Sequence, residues 1–491
     1  MVRSCPESPT STLPAGEELR LEGAQRVAEW GLLSLAVLLG LLRFWKLGEW
    51  SFWVDEAYTF ADARFGLDSD QLWNPLGYRL LISTAEWLAE RPDEFGLRFL
   101  PALVGWLCIP LTWWAFRCWV GGRRAALVAL LLAISSWHIF WSQNARFYTL
   151  AMGTSLLGSG LVLRGYLGGK RPLALVGILI AGAAAAFHVT AALIVPGLVL
   201  APLLAKLRGL ELPTGFRSVW KWLLLTLAIG ALASTPFLLS ALENHTDEKG
   251  TLSWLQGPVH LSKTLAYFFT PMIWAAAVVG SLWALVRKDQ AGLFAVGLVA
   301  MVVAAALLVS TQVLMTAQYT FCILPWVLLL AVLPLESLAK SAQGRGLFWA
   351  GTLVFVAPAL TSTLLYFTSR MGERPRWRDA YTFVDDRREA GDLILGMGSS
   401  VGEFYLGGDN PDPRRPRTVS PLGDWHPEGP RRWNRHDRRV WVVIRPQWLE
   451  GLAPEDELTL TTWLASDCQL VKRFPALMEG RDLELLVYLR E

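Results

Sequence analysis

Long apolar segments separated by short polar ones dominate residues 27–366. A helix needs about 20 apolar residues to cross roughly 30 Å of hydrocarbon. Segments of that kind are predicted near 27–45, 99–116, 125–141, 148–165, 172–187, 189–205, 220–240, 271–286, 291–309, 321–338 and 346–366. The pattern therefore predicts a polytopic α-helical membrane protein with about eleven transmembrane helices.

The pattern changes after the last apolar segment. The charged stretch "RMGERPRWRDAYTFVDDRREAGDLILGMG" has helical and then strand-like periodicity. "RRVWVVIRP", "CQLVKRFP" and "LELLVYLRE" are typical of strands, and "PEDELTLTTWLAS" of a helix between them. We therefore expect residues 367–491 to form a small soluble α/β domain. "GMGSSVGEF" lacks the third glycine of a dinucleotide-binding loop, so a tight turn is the better interpretation.

The first 26 residues are polar, rich in proline and serine, and include several acids. A secretory signal would have a basic start, a short apolar core and a small-residue cleavage site. The apolar run that follows is long enough to span the membrane and lacks such a site. We expect residues 1–26 to be a disordered cytosolic tail before an uncleaved first span, and residues 27–366 to be the transmembrane domain.

Composition agrees with a membrane protein, because 53% of the residues are hydrophobic and only 18% are charged, with a mean hydropathy of +0.35. Soluble domains carry about 25% charged residues. The net charge of +3 is small and its basic residues are scattered among short loops, which argues against nucleic acid as a partner. The five cysteines show no CxxC spacing, so neither a zinc site nor a disulfide framework is indicated.

Charge alternates between successive loops. Lys and Arg collect in one set, at Arg117, Arg123, Arg124, Arg164, Lys170, Arg171, Lys206, Arg208, Arg217, Lys221, Arg287, Lys288, Lys340 and Arg345. Loops rich in Lys and Arg face the cytosol. This places the N-terminus in the cytosol and, with an odd number of spans, the loop 47–98 and the C-terminal domain outside.

The external loop 47–98 begins with "SFWVDEAYTF", which puts two acids among aromatic residues directly after the first span. On a helix, Asp55, Tyr58, Thr59 and Asp62 share one face. Glu56 points about 100° away from Asp55. Asp55 is therefore a candidate catalytic carboxylate; the alternative is a solvated interfacial helix whose acids favour its N-terminal dipole.

A second polar cluster, "WSQNARFYTLAM", lies where the third span ends and the fourth begins, on the same predicted side as Asp55. Helical spacing would let Ser142, Gln143 and Arg146 converge, and the Arg fork matches phosphate. The alternative is that Arg146 anchors the interface by snorkelling. His188, Lys263 and Gln318 are lesser candidates at predicted outer margins; a lone His at a helix end is more often a capping or packing residue.

These motifs together resemble the C-type (GT-C) integral-membrane glycosyltransferases. The resemblance rests on "DEA" in the first external loop, "EFGLRFLPALVGW" entering the second span, "SQNARFYTLAM", and the C-terminal "RWRDAYTFVDDRREAGDLILG". The nearest branch is glycosyltransferase family 39, which includes the protein O-mannosyltransferases, with the lipid A aminoarabinose transferases as relatives.

The resemblance implies an inverting transferase of the bacterial inner membrane. It would move a hexosyl or mannosyl-type sugar from a polyprenyl-phosphate donor to a protein, lipid or glycan acceptor on the outer face. Asp55 matches the family's catalytic acid and Glu56 its neighbour. Arg146 and Tyr148 match the motif near the donor phosphate, to which we add Gln143, Tyr58, His188, Lys263 and Gln318 as candidate donor contacts. The candidate cofactor is a divalent cation, Mg or Mn, held by Asp55 and Glu56.

Two stretches depart from the family pattern. "NPLGYRLL" at 74–81 stands where many members have an HPP-like stretch, and Gln318 stands where many have an Arg before the Tyr of a late span. Acceptor, metal and phosphate contacts at these points are therefore open.

Three alternatives remain from the sequence. The first is an aminoarabinose-type transferase acting on lipid A. The second is a transporter or flippase of lipid-linked sugars, which predicts inverted repeats and broken helices that the sequence does not show. The third is a catalytically dead scaffold.

Overall fold

The structure is a computed structural model that describes residues 15–65, 75–90, 92–213, 255–338, 342–407, 418–422, 438–449, 454–478 and 481–491, with short stretches between 215 and 235 and residue 452. The helices of the described part are α1 (Ala15–Gly40), α2 (Val54–Phe65), α3 (Pro75–Leu88), α4 (Glu94–Val120), α5 (Gly122–Ala133), α6 (Ser136–Ser142), α7 (Tyr148–Gly168), α8 (Arg171–Ala183), α9 (Ile194–Leu207), α10 (Gln256–Phe268), α11 (Pro271–Arg287), α12 (Gln290–Ser310), α13 (Leu324–Leu338), α14 (Ala342–Phe367), α15 (Trp377–Asp385), α16 (Ser399–Leu406), α17 (Pro446–Leu449) and α18 (Pro454–Asp467). The strands are β1 (Leu393–Gly396), β2 (Ser420–Pro421), β3 (Val440–Ile444), β4 (Gln469–Phe474), β5 (Leu477–Met478), β6 (Arg481–Asp482) and β7 (Leu485–Arg490).

The chain divides into two compact units. Unit 1 contains 1–43, 102–142 and 147–361, and unit 2 contains 44–101, 143–146 and 362–491. Unit 2 therefore joins the acidic external loop to the C-terminal domain, a grouping that differs from the boundary expected at 366/367. The reason is that side chains after residue 370 bond to the external loop, as described below.

Unit 1 is helical and apolar. Among the described residues, six helices are long and apolar enough to cross a membrane, or up to eight if each of two bent pairs is one span. The chain is thus a multi-pass membrane protein, and the expected count of eleven stays a prediction. Of the expected span at 220–240, residues 220–225 and 227–229 are helical, and ten residues lie outside the described part of the chain. Helix α1 begins at Ala15, so part of the tail expected at 1–26 is helical, as its run of Glu, Leu, Arg and Ala favours.

Two pairs of apolar helices are sharply bent at a short break, which differs from the expectation of unbroken helices. Helices α5 and α6 meet at 65°, and α10 and α11 meet at 98°. Pro271 opens α11 and cannot continue the preceding helix. At the other break, the Ser135 hydroxyl accepts from the N–H of His138 and starts α6. The buried Arg43 donates to the Leu132 and Ala133 carbonyls at 3.0 Å, which satisfies the C-terminal end of α5.

The C-terminal part of unit 2 is a small α/β domain, as the sequence predicts. Its sheet has the order β2-β1-β3-β7-β4. Strand β1 pairs in parallel with β2 and β3, and β7 pairs antiparallel with β3 and β4. The three strands and the helix expected from the quoted segments are β3, β4, β7 and α18. The segment 407–433 is rich in glycine, proline and other turn residues, which predicts an irregular loop, and it lies mostly outside the described residues.

Alternation along β3 explains how the sheet is covered on both faces. Trp441 and Val443 pack in one apolar cluster with Trp377 of α15, while Val440, Val442 and Ile444 pack in another with Trp463 of α18. Strand β3 is buried along its whole length, which accounts for its continuous apolar sequence. Ala57 of α2 belongs to the first cluster, so the acidic helix is part of the core of this domain.

Candidate active site

Helix α2 carries the predicted catalytic carboxylate. It begins at Val54 and has both acids in its first turn, where the helix dipole favours negative charge. Asp55 is partly exposed. The Arg146 guanidinium donates to the Asp55 carbonyl oxygen at 3.4 Å and to the Thr59 hydroxyl at 2.9 Å. The structure therefore brings positions 55 and 146 together within unit 2.

Glu56 has a different environment from its neighbour. Its side chain is fully buried, and Arg98 forms a two-pronged ion pair with it, at 2.7 Å from Nε to Oε1 and 2.8 Å from Nη2 to Oε2. The N–H of Ala145 donates to Oε1 at 2.8 Å, and the N–H of Trp53 donates to Oε2 at 3.1 Å. The Trp53 bond is the carboxylate half of a capping box, since Trp53 directly precedes α2.

A second arginine completes the Glu56 site. Arg374 Nε lies 3.3 Å from Glu56 Oε2. Burial alone would raise the pKa of Glu56, but the charges of Arg98 and Arg374 and the bonds from Arg98 and Ala145 together hold that pKa below its ordinary value. Glu56, which the sequence places beside Asp55 as a catalytic candidate, is thus held inside unit 2 by partners that favour its ionised form.

Arg374 reaches Glu56 through an unusual turn. Met371, Gly372 and Glu373 have φ values of 47°, 65° and 58°. Left-handed conformations cost a non-glycine residue roughly 1–2 kcal/mol. A Cβ on Gly372 would lie 2.6 Å from the Trp50 ring, so glycine is needed there for space as well as for conformation.

A further ion pair ties the C-terminal domain to the external loop. Arg378 Nη2 lies 2.5 Å from Glu94 Oε1, and the Tyr405 hydroxyl donates to the same oxygen at 2.7 Å. Tyr405 also accepts from the N–H of Phe52 at 2.9 Å. Burial, and then the charge of Glu94, raise the pKa of Tyr405, which keeps it a donor. These bonds fix the segment that leads into α2.

Hydrogen bonds to other segments of unit 2 hold the turn 143–146 in place, beginning with Gln143. The Gln143 side chain donates to the Trp45 carbonyl at 2.6 Å and accepts from the Tyr366 hydroxyl at 2.9 Å, and its carbonyl accepts from Arg374 at 2.6 Å. Ser142 ends α6 and residues 143–146 form a turn, so the helical spacing assumed for Ser142, Gln143 and Arg146 does not apply. Gln143 thus supports the backbone of the turn, and its role as a donor contact stays a prediction.

The remaining predicted residues are divided between the two units. Tyr58 is exposed on α2. Tyr148, His188, Lys263 and Gln318 belong to unit 1. There the His188 ring lies 4.9 Å from that of Tyr148 and 5.4 Å from that of Tyr319, the neighbour of Gln318. Lys263 is exposed on α10. The roles of these four residues stay predictions.

A divalent cation does not fit the predicted carboxylate pair. In the described part of the chain, no three His, Cys, Asp or Glu residues gather as metal ligands. Glu56, one of the two candidate ligands, is already paired with two arginine cations. Those charges repel a metal ion at this carboxylate.

Several residues of this site are absent from the predicted set: Glu94, Arg98, Tyr366, Arg374, Arg378 and Tyr405. The sequence did contain a clue to Arg98, because a lone arginine in the apolar run "EFGLRFLPALVGW" is costly without a partner. Arg374 and Arg378 had none, since they sit in a charged segment and their partners are distant in the sequence; Arg374 and Glu56 are 318 residues apart.

No protein-family profile matches the sequence, and no curated protein matches it. Solved structures do match. ArnT from Cupriavidus metallidurans, bound to undecaprenyl phosphate, aligns with a TM-score of 0.53 at 14% identity, over 94% of this chain and 98% of that chain. The apo form of the same ArnT aligns with a TM-score of 0.52 at 14% identity, over 94% of this chain and 98% of that chain.

The Archaeoglobus fulgidus oligosaccharyltransferase, tethered to an acceptor peptide containing the NVT sequon, aligns with a TM-score of 0.50 at 12% identity, over 86% of this chain and 69% of that chain. ArnT and this oligosaccharyltransferase are membrane glycosyltransferases of the GT-C fold. The present chain therefore has the GT-C fold of the integral-membrane glycosyltransferases.

Proposed function

We propose that this protein is a membrane glycosyltransferase that moves a sugar from a polyprenyl-phosphate carrier to an acceptor hydroxyl on the extracytoplasmic face. The observation that carries the proposal is the contact of Arg146 with the first turn of α2, beside Asp55. The guanidinium bonds to the Asp55 backbone carbonyl and to the Thr59 hydroxyl, so a phosphate-binding cation lies beside the residue whose carboxylate would serve as the base. The GT-C fold supports the proposal, as does the ArnT structure bound to undecaprenyl phosphate.

In the proposed reaction, Asp55 accepts the proton of the acceptor hydroxyl as its oxygen bonds to the anomeric carbon. The bond from that carbon to the phosphate oxygen breaks, and the lipid phosphate leaves with the electron pair. Arg146 stabilises the charge that develops on the phosphate. A phosphate needs little protonation to leave, so one carboxylate is enough, and attack from the opposite face inverts the anomeric centre.

Glu56 takes a positioning role in this scheme. The two arginines and two backbone N–H groups around it fix α2 and the turn 143–146 to one another. Asp55 and Arg146, which lie on these two segments, are thereby held in register before substrate binds. Such preorganisation lowers the reorganisation required at the transition state.

A flippase of lipid-linked sugars is the second candidate, favoured by the two bent helix pairs. Broken helices line substrate sites in transporters. That function needs no bond cleavage and gives Asp55 no proton to accept.

The test is to incubate purified protein with undecaprenyl-phosphate-linked mannose, glucose and 4-amino-4-deoxyarabinose, together with peptide, lipid and glycan acceptors. We expect free undecaprenyl phosphate to appear in step with glycosylated acceptor for at least one pair. Arg146→Gln should slow this release about 10²–10³-fold, the typical effect of losing one oxyanion-stabilising donor. Movement of intact glycolipid across vesicles without cleavage would favour the flippase instead.

A further inference from the structure

Asn144 lies in the turn 143–146, between Gln143 and Ala145, and has a buried side chain with no hydrogen-bond partner among the described residues. It is fully buried at 0% exposure. Within the described residues, neither its Oδ1 nor its Nδ2 has a hydrogen-bond partner. A buried polar group without a partner costs about 1–3 kcal/mol. Such a group calls for a ligand or an ordered water as its partner.

Relaxation of the turn cannot easily remove this cost, because the neighbours of Asn144 are bonded on both sides. Gln143 is held by Trp45, Tyr366 and Arg374. The N–H of Ala145 is held by Glu56. The carbonyl of Asn144 itself accepts from the N–H of Arg146 at 2.7 Å, which fixes the phosphate-binding candidate to the same turn.

We propose that Asn144 binds the hydroxyl groups of the donor's sugar ring. This inference rests on the proposed function and extends it to sugar recognition. A carboxamide offers one acceptor oxygen and two N–H donors. Phosphate oxygens at neutral pH only accept, so they satisfy Nδ2 and leave Oδ1 unpaired. A sugar hydroxyl both donates and accepts, and two neighbouring hydroxyls satisfy both ends of the carboxamide.

The position of Asn144 in the turn agrees with a sugar ring as its ligand. Arg146 is two residues away and bonds to the helix that carries Asp55. In a polyprenyl-phosphate sugar, the ring is joined directly to the phosphate. Asn144, two residues from the arginine proposed to bind the phosphate, is therefore placed to contact the ring hydroxyls.

The experiment measures the affinity of the full-length protein for undecaprenyl phosphate and for the same lipid carrying each sugar of the panel. Asn144→Leu keeps a similar volume and removes both polar atoms. We expect it to weaken binding of the preferred sugar-linked lipid about tenfold, the loss of one to two hydrogen bonds, and to leave bare undecaprenyl phosphate unchanged. Arg146→Gln is the matched control and should weaken both lipids.

Thermal stability separates binding from a structural role. Because Asn144→Leu removes an unsatisfied polar group, its apparent Tm should equal or exceed that of the wild type. Asn144→Asp, which keeps the shape but loses the N–H donors, provides a second variant and should also lose the preference for the sugar-linked lipid.

Two results would overturn the inference. In the first, both Asn144 variants keep the wild-type ratio of affinities for the sugar-linked and the bare lipid, while the wild type still transfers sugar. That result removes the inference and leaves the proposed function intact. The other is a wild type that neither binds nor cleaves any sugar-linked lipid, which removes the proposed function as well.

Discussion

Two adjacent carboxylates on α2 have opposite surroundings. Asp55 is partly exposed beside Arg146 and Thr59, whereas Glu56 is fully buried between Arg98 and Arg374. Helical geometry separates the two side chains by about 100°, so neighbours in the sequence face different environments. The Asp55 side chain is therefore partly accessible, whereas the Glu56 side chain is enclosed by ion pairs.

The buried acid makes stability depend on pH. The folded pKa of Glu56 lies below its ordinary value of 4.5. The contribution of Glu56 to the free energy of unfolding is therefore fully present above pH 4.5, and it is lost as the pH falls through the lower folded pKa. Removing one partner of a buried ion pair costs about 3–5 kcal/mol. Glu56→Gln should thus lower the apparent Tm at neutral pH, and its curve should approach that of the wild type in acid.

Thermal unfolding of both proteins in one detergent, from about pH 7 to about pH 3, checks this expectation. A difference in Tm that stays constant over the whole range would show that ionisation of Glu56 does not stabilise the fold.

At the scale of elements, glycines let α7 and α8 pack closely in unit 1. A Cβ on Gly158 would lie 2.5 Å from the Ala181 nitrogen and 2.6 Å from the Gly177 oxygen. A Cβ on Gly165 would lie 2.6 Å from the Ala174 nitrogen. Small residues at such crossings let helix backbones approach in membrane proteins, where van der Waals packing drives association.

Gly158→Ala should therefore destabilise the protein by about 1–3 kcal/mol, because the new methyl group meets backbone atoms that cannot move aside independently. Gly31→Ala in α1 is the matched control, since no atom lies within 4 Å of its added Cβ. That control should be neutral or stabilising by about 0.5–1 kcal/mol, because alanine favours a helix. Equal apparent Tm values for the two variants would contradict close packing of α7 on α8.

The local pattern of apolar and polar residues was enough to predict some of the helices and strands. Strands β3, β4 and β7 and helix α18 follow from alternation and from helical period within short segments. Helix α2 follows in the same way, and with it the separation of Asp55 from Glu56. The break before Pro271 had a local signal too, but the break between α5 and α6 depends on Ser135 and on Arg43 from a distant segment.

The ion-pair network was not predictable from pattern. Arg98 and Glu56 are 42 residues apart, and Arg374 and Glu56 are 318 apart. Which arginine meets which carboxylate depends on how the external loop folds against the C-terminal domain. Asn144 was equally hidden, because an asparagine in a polar turn looks ordinary until its burial is known.

At the scale of the whole molecule, the predicted orientation has a direct consequence for chemical labelling. The C-terminal domain should face the exterior and the loop after α11 should face the cytosol. In a cysteine-free variant, a single cysteine at the exposed position Glu455 should react with a membrane-impermeant maleimide in intact cells. A single cysteine at the exposed position Arg287 should react only after the membrane is permeabilised. The reverse pattern would place the candidate site in the cytosol and exclude the proposed reaction.

The most direct test of the account compares Asp55→Asn with Glu56→Gln in the same sugar-transfer assay, with the apparent Tm measured for each. We predict that Asp55→Asn keeps the wild-type Tm and loses about 10²–10⁴-fold in transfer rate, as expected when a general base is removed. Glu56→Gln should lower the Tm. An Asp55→Asn protein that transfers sugar at the wild-type rate would contradict the claim that this carboxylate performs the chemistry.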